Sequence, residues 1–368
     1  MFCSLSCRLK RLLLFSQIKS CILNKKKTNK KGIKKNGKKN NSKKNKENVK
    51  ILENGLVLSE EDMTILGLSE EKRREKPKYL EIPEGVLTIK EEAFRKNHSL
   101  KRVILPKSLK RIGSNAFYDC SELKEISIPE GVEVLELGAF AYCKNLTKIE
   151  LHEGLKIISD NVLQGTCVEK LELPASVRVL GNNALTPVRY LKLNEKMPHN
   201  LIRAIAPMDW STYWMYSNDS TKAMTVELEF PDKKLYLPKF INEAESGLCE
   251  CALNSGMHEQ ENSTFAYGGR GGTSYDTAIK TYFYLTETGK EIPESMTQYT
   301  RRVAKRITEY LIEKDRTEDA AKFIRLNLLT PNAMESLYSL AVDLKRADIA
   351  AYLMEAINAR GKKTSMRL

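Results

Sequence analysis

The residues best suited to chemistry are few and scattered. Four histidines occur, His98, His152, His199 and His258, and none has a second histidine or a cysteine at ligand spacing. Neither a zinc site nor a serine–histidine–aspartate triad can be assembled from linear order. His258-Glu259 is followed by Gln260-Glu261-Asn262, so the second histidine of a zinc-protease helix is absent. Cys249 and Cys251 are one residue apart, not the two of redox or zinc pairs. Gly268-Gly269-Arg270-Gly271-Gly272 ahead of a helix could cradle a phosphate on backbone N–H groups. No Gly-Lys-Ser/Thr follows and no strand leads in, so a hinge is expected. Trp210, Tyr213, Trp214 and Tyr216 cluster as a ligand box would, but such clusters are more often core or cap. The expectation is a non-enzymatic protein with no catalytic residue, cofactor or metal.

The elements around these residues explain more. A chain of 368 residues holds two or three domains at roughly 100–200 residues each. Its net charge of +14 suggests a polyanion partner until the charge is located. Residues 1–50 carry Arg8, Lys10, Arg11, Lys19 and thirteen lysines from Lys25 to Lys50, against Glu47 alone, a net +16 that leaves the rest at 14 minus 16, or −2. This Lys/Asn-rich leader buries almost nothing apolar and is expected to be disordered. A nucleic acid or anionic membrane could bind only there, by counterion release, and no aromatic interleaves the lysines to stack on bases. Leu12-Leu13-Leu14-Phe15 follows the first basic residues, but Ser16, Gln17 and Lys19 end the run, short of the roughly 7–15 residues of a signal peptide. Ile18-Lys19-Ser20-Cys21 faintly resembles a lipoprotein box with a lysine out of place. The expected location is cytoplasmic; the alternative is a cell-surface or lipid-anchored protein processed at Cys21. No apolar run approaches the ~18 residues of a membrane span.

From residue 77 to 196 the chain repeats. Ile82, Leu105, Ile128, Leu151 and Leu173 recur at intervals of 23, 23, 23 and 22 residues. In the same register stand Ile89, Ile112, Leu135, Ile158 and Leu180, then Ala93-Phe94, Ala116-Phe117, Ala139-Phe140, Val162-Leu163 and Ala184-Leu185. About five units of 22–23 residues are therefore expected to stack, because one unit cannot bury its own apolar edge. The small alanines let the next coil approach, and Phe94, Phe117 and Phe140 should form a ladder. Cys120 and Cys143 form a column of small buried side chains, with Cys167 displaced by one place. One thiol per coil makes a row and no tetrahedral cage.

The pattern Leu-x-x-Ile-x-Leu-Pro-x-x-Leu-x-x-Ile-Gly-x-x-Ala-Phe-x-x-Cys-x-x-Leu, nearly complete from Leu100 to Leu123, resembles the Treponema-type, BspA-like leucine-rich repeats. That resemblance implies a right-handed solenoid used for protein binding, in some members at a cell surface. His152 in place of proline and Val162-Leu163 in place of Ala-Phe depart from the pattern.

The fold class is α+β: this solenoid, then a small β-hairpin, then an all-helical C-terminal domain. Residues 51–76 read as a cap, with Gly55–Leu58 and Thr64–Leu66 as a hairpin and Lys72–Lys76 as a charged connector. Residues 197–270 form a connecting segment in which Val226–Phe230 and Leu235–Leu237 alternate at strand period around Pro231-Asp232. Residues 271–360 follow i, i+3, i+4 spacing. One helix, Asp276–Leu285, buries Ala278, Ile279, Tyr282 and Phe283; another, Ser295–Ile312, buries Tyr299, Val303, Ile307, Tyr310 and Leu311. Thr330-Pro331 caps a final pair, Asn332–Leu344 and Ala347–Asn358, weakly similar to an ankyrin unit. Residues 361–368 are a tail. The stretch 225–360 also looks like the uncharacterised helical tail that follows such repeats in other bacterial proteins.

What remains for function is surface. Alternate side chains of the Leu-x-Ile strands point outward, which places Arg102, Glu125, Lys148, Lys170 and Tyr190 in one column and Ile104, Ser127, Glu150, Glu172 and Lys192 in another. Five steps of ~4.8 Å by about five residues of ~3.3 Å give roughly 400 Å², half the ~800 Å² per partner of a standard interface. The expected function is protein–protein interaction through this face together with the helical domain, the partner being a protein or an extended peptide. The alternatives are a nucleic-acid or membrane accessory using the leader, and a surface-exported adhesin-like protein.

Overall fold

The computed structural model describes residues 48–194, 196–206, 225–241, 243–267 and 272–365. The leader through Glu47 with its Cys21, the aromatic cluster Trp210–Tyr216 and the glycine run from Gly268 to Gly271 lie outside the described residues.

The chain enters through an antiparallel meander of β1 (Val49–Ile51), β2 (Leu56–Ser59) and β3 (Thr64–Leu68). Leu56, Leu58, Ile65 and Leu68 are buried; Leu56 and Leu58 alternate, whereas Ile65 and Leu68 share the core across a register shift in the β2–β3 pairing. Helix α1 (Glu70–Glu75) follows, where a charged connector was expected. Ser69 caps it by accepting a hydrogen bond from the Lys72 N–H, and Glu70 and Glu71 in its first turn suit the helix dipole.

Six turns come next, each opening on a strand with alternate residues buried: β4 (Tyr79–Glu81), β6 (Arg102–Ile104), β8 (Glu125–Ile128), β10 (Lys148–Leu151), β12 (Lys170–Glu172) and β14 (Tyr190–Lys192). The first five turns add a two-residue strand on the opposite side: β5 (Thr88–Ile89), β7 (Arg111–Ile112), β9 (Val134–Leu135), β11 (Ile157–Ile158) and β13 (Val179–Leu180). Neighbouring turns pair in parallel, Ile149 opposite Ile126 and Leu151 opposite Ile128, which is the 23-residue period made physical. The short strands join the meander in one sheet of order β1-β2-β3-β5-β7-β9-β11-β13, so the cap closes the short-strand side of the first turn.

The core between the two sides is shared from turn to turn. Phe117 stacks on Phe94 at 5.1 Å and on Phe140 at 5.3 Å, the latter nearly parallel at 7°. Each ring is buried, worth about 1.5–3 kcal/mol by removal from water. The residue before the small alanine takes a left-handed conformation in each of these turns, as at Asn115 (φ 54°) and Gly138 (φ 59°). Asparagine and glycine tolerate that conformation best. The cysteine column is more than apolar filler: Cys120 donates to the Phe94 carbonyl at 3.2 Å and Cys143 to the Phe117 carbonyl at 3.0 Å. Its hydrogen bond with Cys143 and its burial push the Cys120 thiol far above the usual range, which makes it unreactive.

A hairpin of β15 (Thr225–Glu229) and β16 (Lys234–Pro238) closes the other end. It does not stand apart from the repeats: β15 pairs in parallel with β14, Tyr190 opposite Glu227 and Lys192 opposite Glu229. Helix α2 (Leu201–Ile205) buries four of its five residues beneath this end. Lys239, fully buried, runs between them and donates to the carbonyls of Val188 at 2.8 Å and Ile205 at 3.0 Å. Burial drives its amine well below the ordinary lysine range.

Helices α3 (Glu243–Leu253), α4 (His258–Glu261), α5 (Gly272–Glu287), α6 (Glu294–Glu313), α7 (Thr317–Arg325), α8 (Pro331–Asp343) and α9 (Ala347–Ser365) complete the chain. Ile279, Ile307, Leu311, Phe323, Leu337, Ile349 and Leu353 form the core of α5–α9, whereas Cys249 and Leu253 of α3 belong to the core of the repeats. Tyr299 and Tyr310 are half-buried, not buried as their spacing suggested. Each phenol needs a polar partner: Tyr299 shares a hydrogen bond with Ser274 at 2.8 Å and Tyr310 donates to Asp276 at 3.2 Å. Thr330 caps α8, accepting from the Ala333 N–H.

Candidate functional site

The ten residues expected on the strand face, Arg102, Ile104, Glu125, Ser127, Lys148, Glu150, Lys170, Glu172, Tyr190 and Lys192, are all exposed and lie on one side of the turns. Tyr79 and Glu81 extend the two columns at one end, and Glu227 and Glu229 at the other. The hairpin's contribution could not be read locally, because alternation shows that a strand exists and not which strand it joins. Hydrogen-bonded pairing runs β4-β6, β8-β10 and β12-β14-β15-β16. Seven strands from β4 to β15 therefore span six steps of ~4.8 Å, about 29 by 17 Å or roughly 490 Å². Beyond them Tyr236 of β16 is covered by Tyr284 of α5, whose ring centre is 6.0 Å away and whose hydroxyl accepts from the Lys234 N–H at 3.0 Å. Helix α5 thus walls off the end of the face.

The charges on this surface largely answer one another. Lys148 pairs with Glu150 at 2.6 Å, Lys192 with Glu172 at 2.8 Å and Lys234 with Glu227 at 2.6 Å. Each pairing raises its lysine, and Lys148 holds Glu150 below the usual carboxylate range. The Lys170 ammonium sits 5.5 Å from the centre of the Tyr190 ring. An open groove of about 270 Å³ lies where the last turn meets the hairpin, lined by Lys170, Glu172, Tyr190, Lys192, Glu227 and Glu229.

Nucleophilic chemistry finds one superficial match. His98 Nδ1 lies 3.2 Å from the Ser121 hydroxyl, and its Nε2 lies 3.9 Å from Asp119. The repeat brings residue 98 beside 121, so adding the period to each histidine would have found the group. The Asp119 distance exceeds a hydrogen bond and the ring is 57% exposed, so nothing orients the imidazole as a general base. His152 and His258 are engaged with the carbonyls of Ile128 at 2.8 Å and Glu291 at 2.7 Å. Among the described residues no three His, Cys, Asp or Glu side chains gather as a metal site. No helix among them is long and apolar enough to cross a membrane.

The sequence pattern of the BspA type leucine rich repeat region matches residues 73–192 in six copies, one more than the intervals alone suggested. Residues 73–192 are BspA-type leucine-rich repeats. No curated protein matches the chain. Among solved structures the repeats are similar to a leucine-rich repeat protein of T. pallidum, at 27% identity and a TM-score of 0.32 over 35% of this chain and 63% of that one. They are also similar to the pneumococcal vaccine antigen PcpA, at 29% identity and a TM-score of 0.30 over 32% of this chain and 31% of that one. A leucine-rich repeat protein from Bacteroides ovatus matches at 20% identity and a TM-score of 0.32, over 48% of this chain and 52% of that one. The chain thus spans about a third of the pneumococcal protein and under two thirds of the treponemal one. Leucine-rich repeats of this type serve in general as protein-interaction or adhesin-like modules.

Proposed function

We propose that the chain is a non-enzymatic protein-interaction module that binds its partner through the strand face of the repeats together with the adjoining side of α5. The observation that carries this reading is the continuity of the face: β15 extends the repeat strands in register, and α5 packs against the far strand to build a wall at its end. The face supplies roughly 490 Å², so the remainder of a standard ~800 Å² contact falls to the helices.

Reversing Lys148 and Lys170 to glutamate breaks one ion pair and one cation–ring contact at the centre of this surface. Recovery of the partner in a quantitative pull-down should fall about tenfold, as expected for lost charge complementarity. Unchanged recovery of the same partner moves the site off the strand face. The leader supports a second reading, because +16 of the charge lies in residues 1–50 and the rest of the chain sums to −2. It predicts that deleting residues 1–50 abolishes binding to DNA or anionic vesicles and that affinity falls steeply with salt. Mass spectrometry of the native N-terminus tests processing at Cys21, on which the surface-exported reading depends.

A further inference from the structure

The strand face is electrically polarised across its strands. Along the edge where the strands begin stand Lys78, Lys101, Arg102, Lys124, Lys148 and Lys170, all exposed, against the exposed Glu125 and the half-buried Glu169 and Glu227. Along the edge where they end stand Glu81, Glu150, Glu172 and Glu229, also exposed, with Lys192 the exception on the strands and Lys107 just beyond them. Lys78, Lys101 and Lys124 occupy equivalent places in successive turns. Within the described residues none of the three has a carboxylate at ion-pair distance, whereas Lys148 and Lys192 spend their charge on Glu150 and Glu172. Exposed apolar side chains mark both ends of the face: Tyr79 and Ile104 at the first two turns, Tyr190 at the last.

From this arrangement we infer that the face receives a single α-helix of a protein partner, laid along the axis of the repeats, acidic on the flank above the strand starts and basic on the flank above the strand ends. The inference rests on the interaction reading above and names its occupant. Lys78 and Glu81 are three residues, or about 10 Å, apart, and Lys148–Glu150 and Lys170–Glu172 two residues, or about 7 Å, so neither flank lies beyond the ~10–12 Å diameter of a helix with its side chains. Such a helix reaches both flanks at once from rows on its two sides. An extended chain along the same axis directs its side chains toward and away from the face and reaches neither flank well. The ~29 Å between β4 and β15 corresponds to about 19 helical residues. Turning the helix end for end would set like charges against like on both flanks, so the polarity fixes its direction. A polyanion suits the surface less well, because the acidic flank lies within about one Debye length of the lysines and repels it.

The probe is a pair of fluorescein-labelled synthetic helices of about 19 residues and identical composition. In one, glutamates fill one flank and lysines the other, with leucines beneath each end; in the second the charges are interleaved. Fluorescence anisotropy against the full chain should show the segregated peptide binding about tenfold more tightly at ~50 mM salt, with the gap narrowing at ~200 mM. The double variant Lys101→Glu, Lys124→Glu should bring the segregated peptide to the level of the interleaved one, while Lys156→Glu on the short-strand side changes nothing. Equal affinities overturn the inference, as does binding of neither peptide, or binding of polyphosphate in place of the segregated peptide. If both peptides bind equally and both are lost with Tyr190→Ala, the face stands as the site and only its polarity falls. Should the Lys148→Glu, Lys170→Glu variant leave the natural partner bound, the placement of the site on the strand face fails.

Discussion

Replacing Phe117 with alanine tests the shared core at its centre. Phe117 is fully buried and lies between two other rings, 5.1 Å from Phe94 and 5.3 Å from Phe140, whereas Phe94 has one ring neighbour in the ladder. A buried Phe→Ala change costs about 3–5 kcal/mol, and each lost ring contact accounts for about 0.5–1.5 kcal/mol of that. Phe117→Ala is therefore expected near the top of the range, about 4–5 kcal/mol, and Phe94→Ala near the bottom, about 3–4 kcal/mol. The double variant Phe117→Ala, Phe140→Ala should cost less than the sum of its singles by about 0.5–1.5 kcal/mol, because their mutual contact is lost only once. Urea unfolding followed by far-UV circular dichroism measures the three single variants and the double variant against the unaltered chain. Equal losses at Phe94 and Phe117 together with strict additivity would show that the rings pack within their own turns, and the stacked-core argument would be wrong.

Two further outcomes follow from polar groups inside the fold. Burial lowers the amine of Lys239 below its usual 10.5, so the folded chain binds fewer protons there than the unfolded chain. Stability should then rise with pH across the window from that lowered value up to about 10.4. In Lys239→Met the rise is smaller, and urea midpoints of the two proteins that stay parallel through this window would refute the linkage. In the helical region Arg316 pairs with Asp276, whose side chain is fully buried, and also with Asp319 at 2.6 Å. Arg316→Met leaves a buried carboxylate short of a cation and should destabilise by about 3–5 kcal/mol. Adding Asp276→Asn should restore part of that loss, and a double variant as unstable as the sum of its singles would count against the pairing.

The parts legible in the sequence are those in which one rule recurs. A 23-residue interval places Ile126, Ile149 and their counterparts side by side, so the repeats could be read without coordinates, and the phenylalanine ladder with them. Helices α5 and α6 were legible from their apolar spacing, since Ile279 and Ile307 mark the stripe that must be buried. Helix α1 was hidden by its charge, although Ser69 followed by Glu70 and Glu71 is a start signal in its own right. The cysteine column showed its burial in advance but not its hydrogen bonds. A thiol donates to a carbonyl only when the neighbouring turn arrives at the right height.

By itself the sequence determined the period, the inward side chains and, through alternation, which ten residues face outward. These are properties of spacing along one chain. Only the tertiary structure decided that β15 continues the repeat strands, that α5 stops the face at Tyr236, and that Lys239 reaches the carbonyls of Val188 and Ile205. Such contacts join segments whose separation follows no period, so the choice of neighbour is made by the packing of the whole and is written in no local pattern.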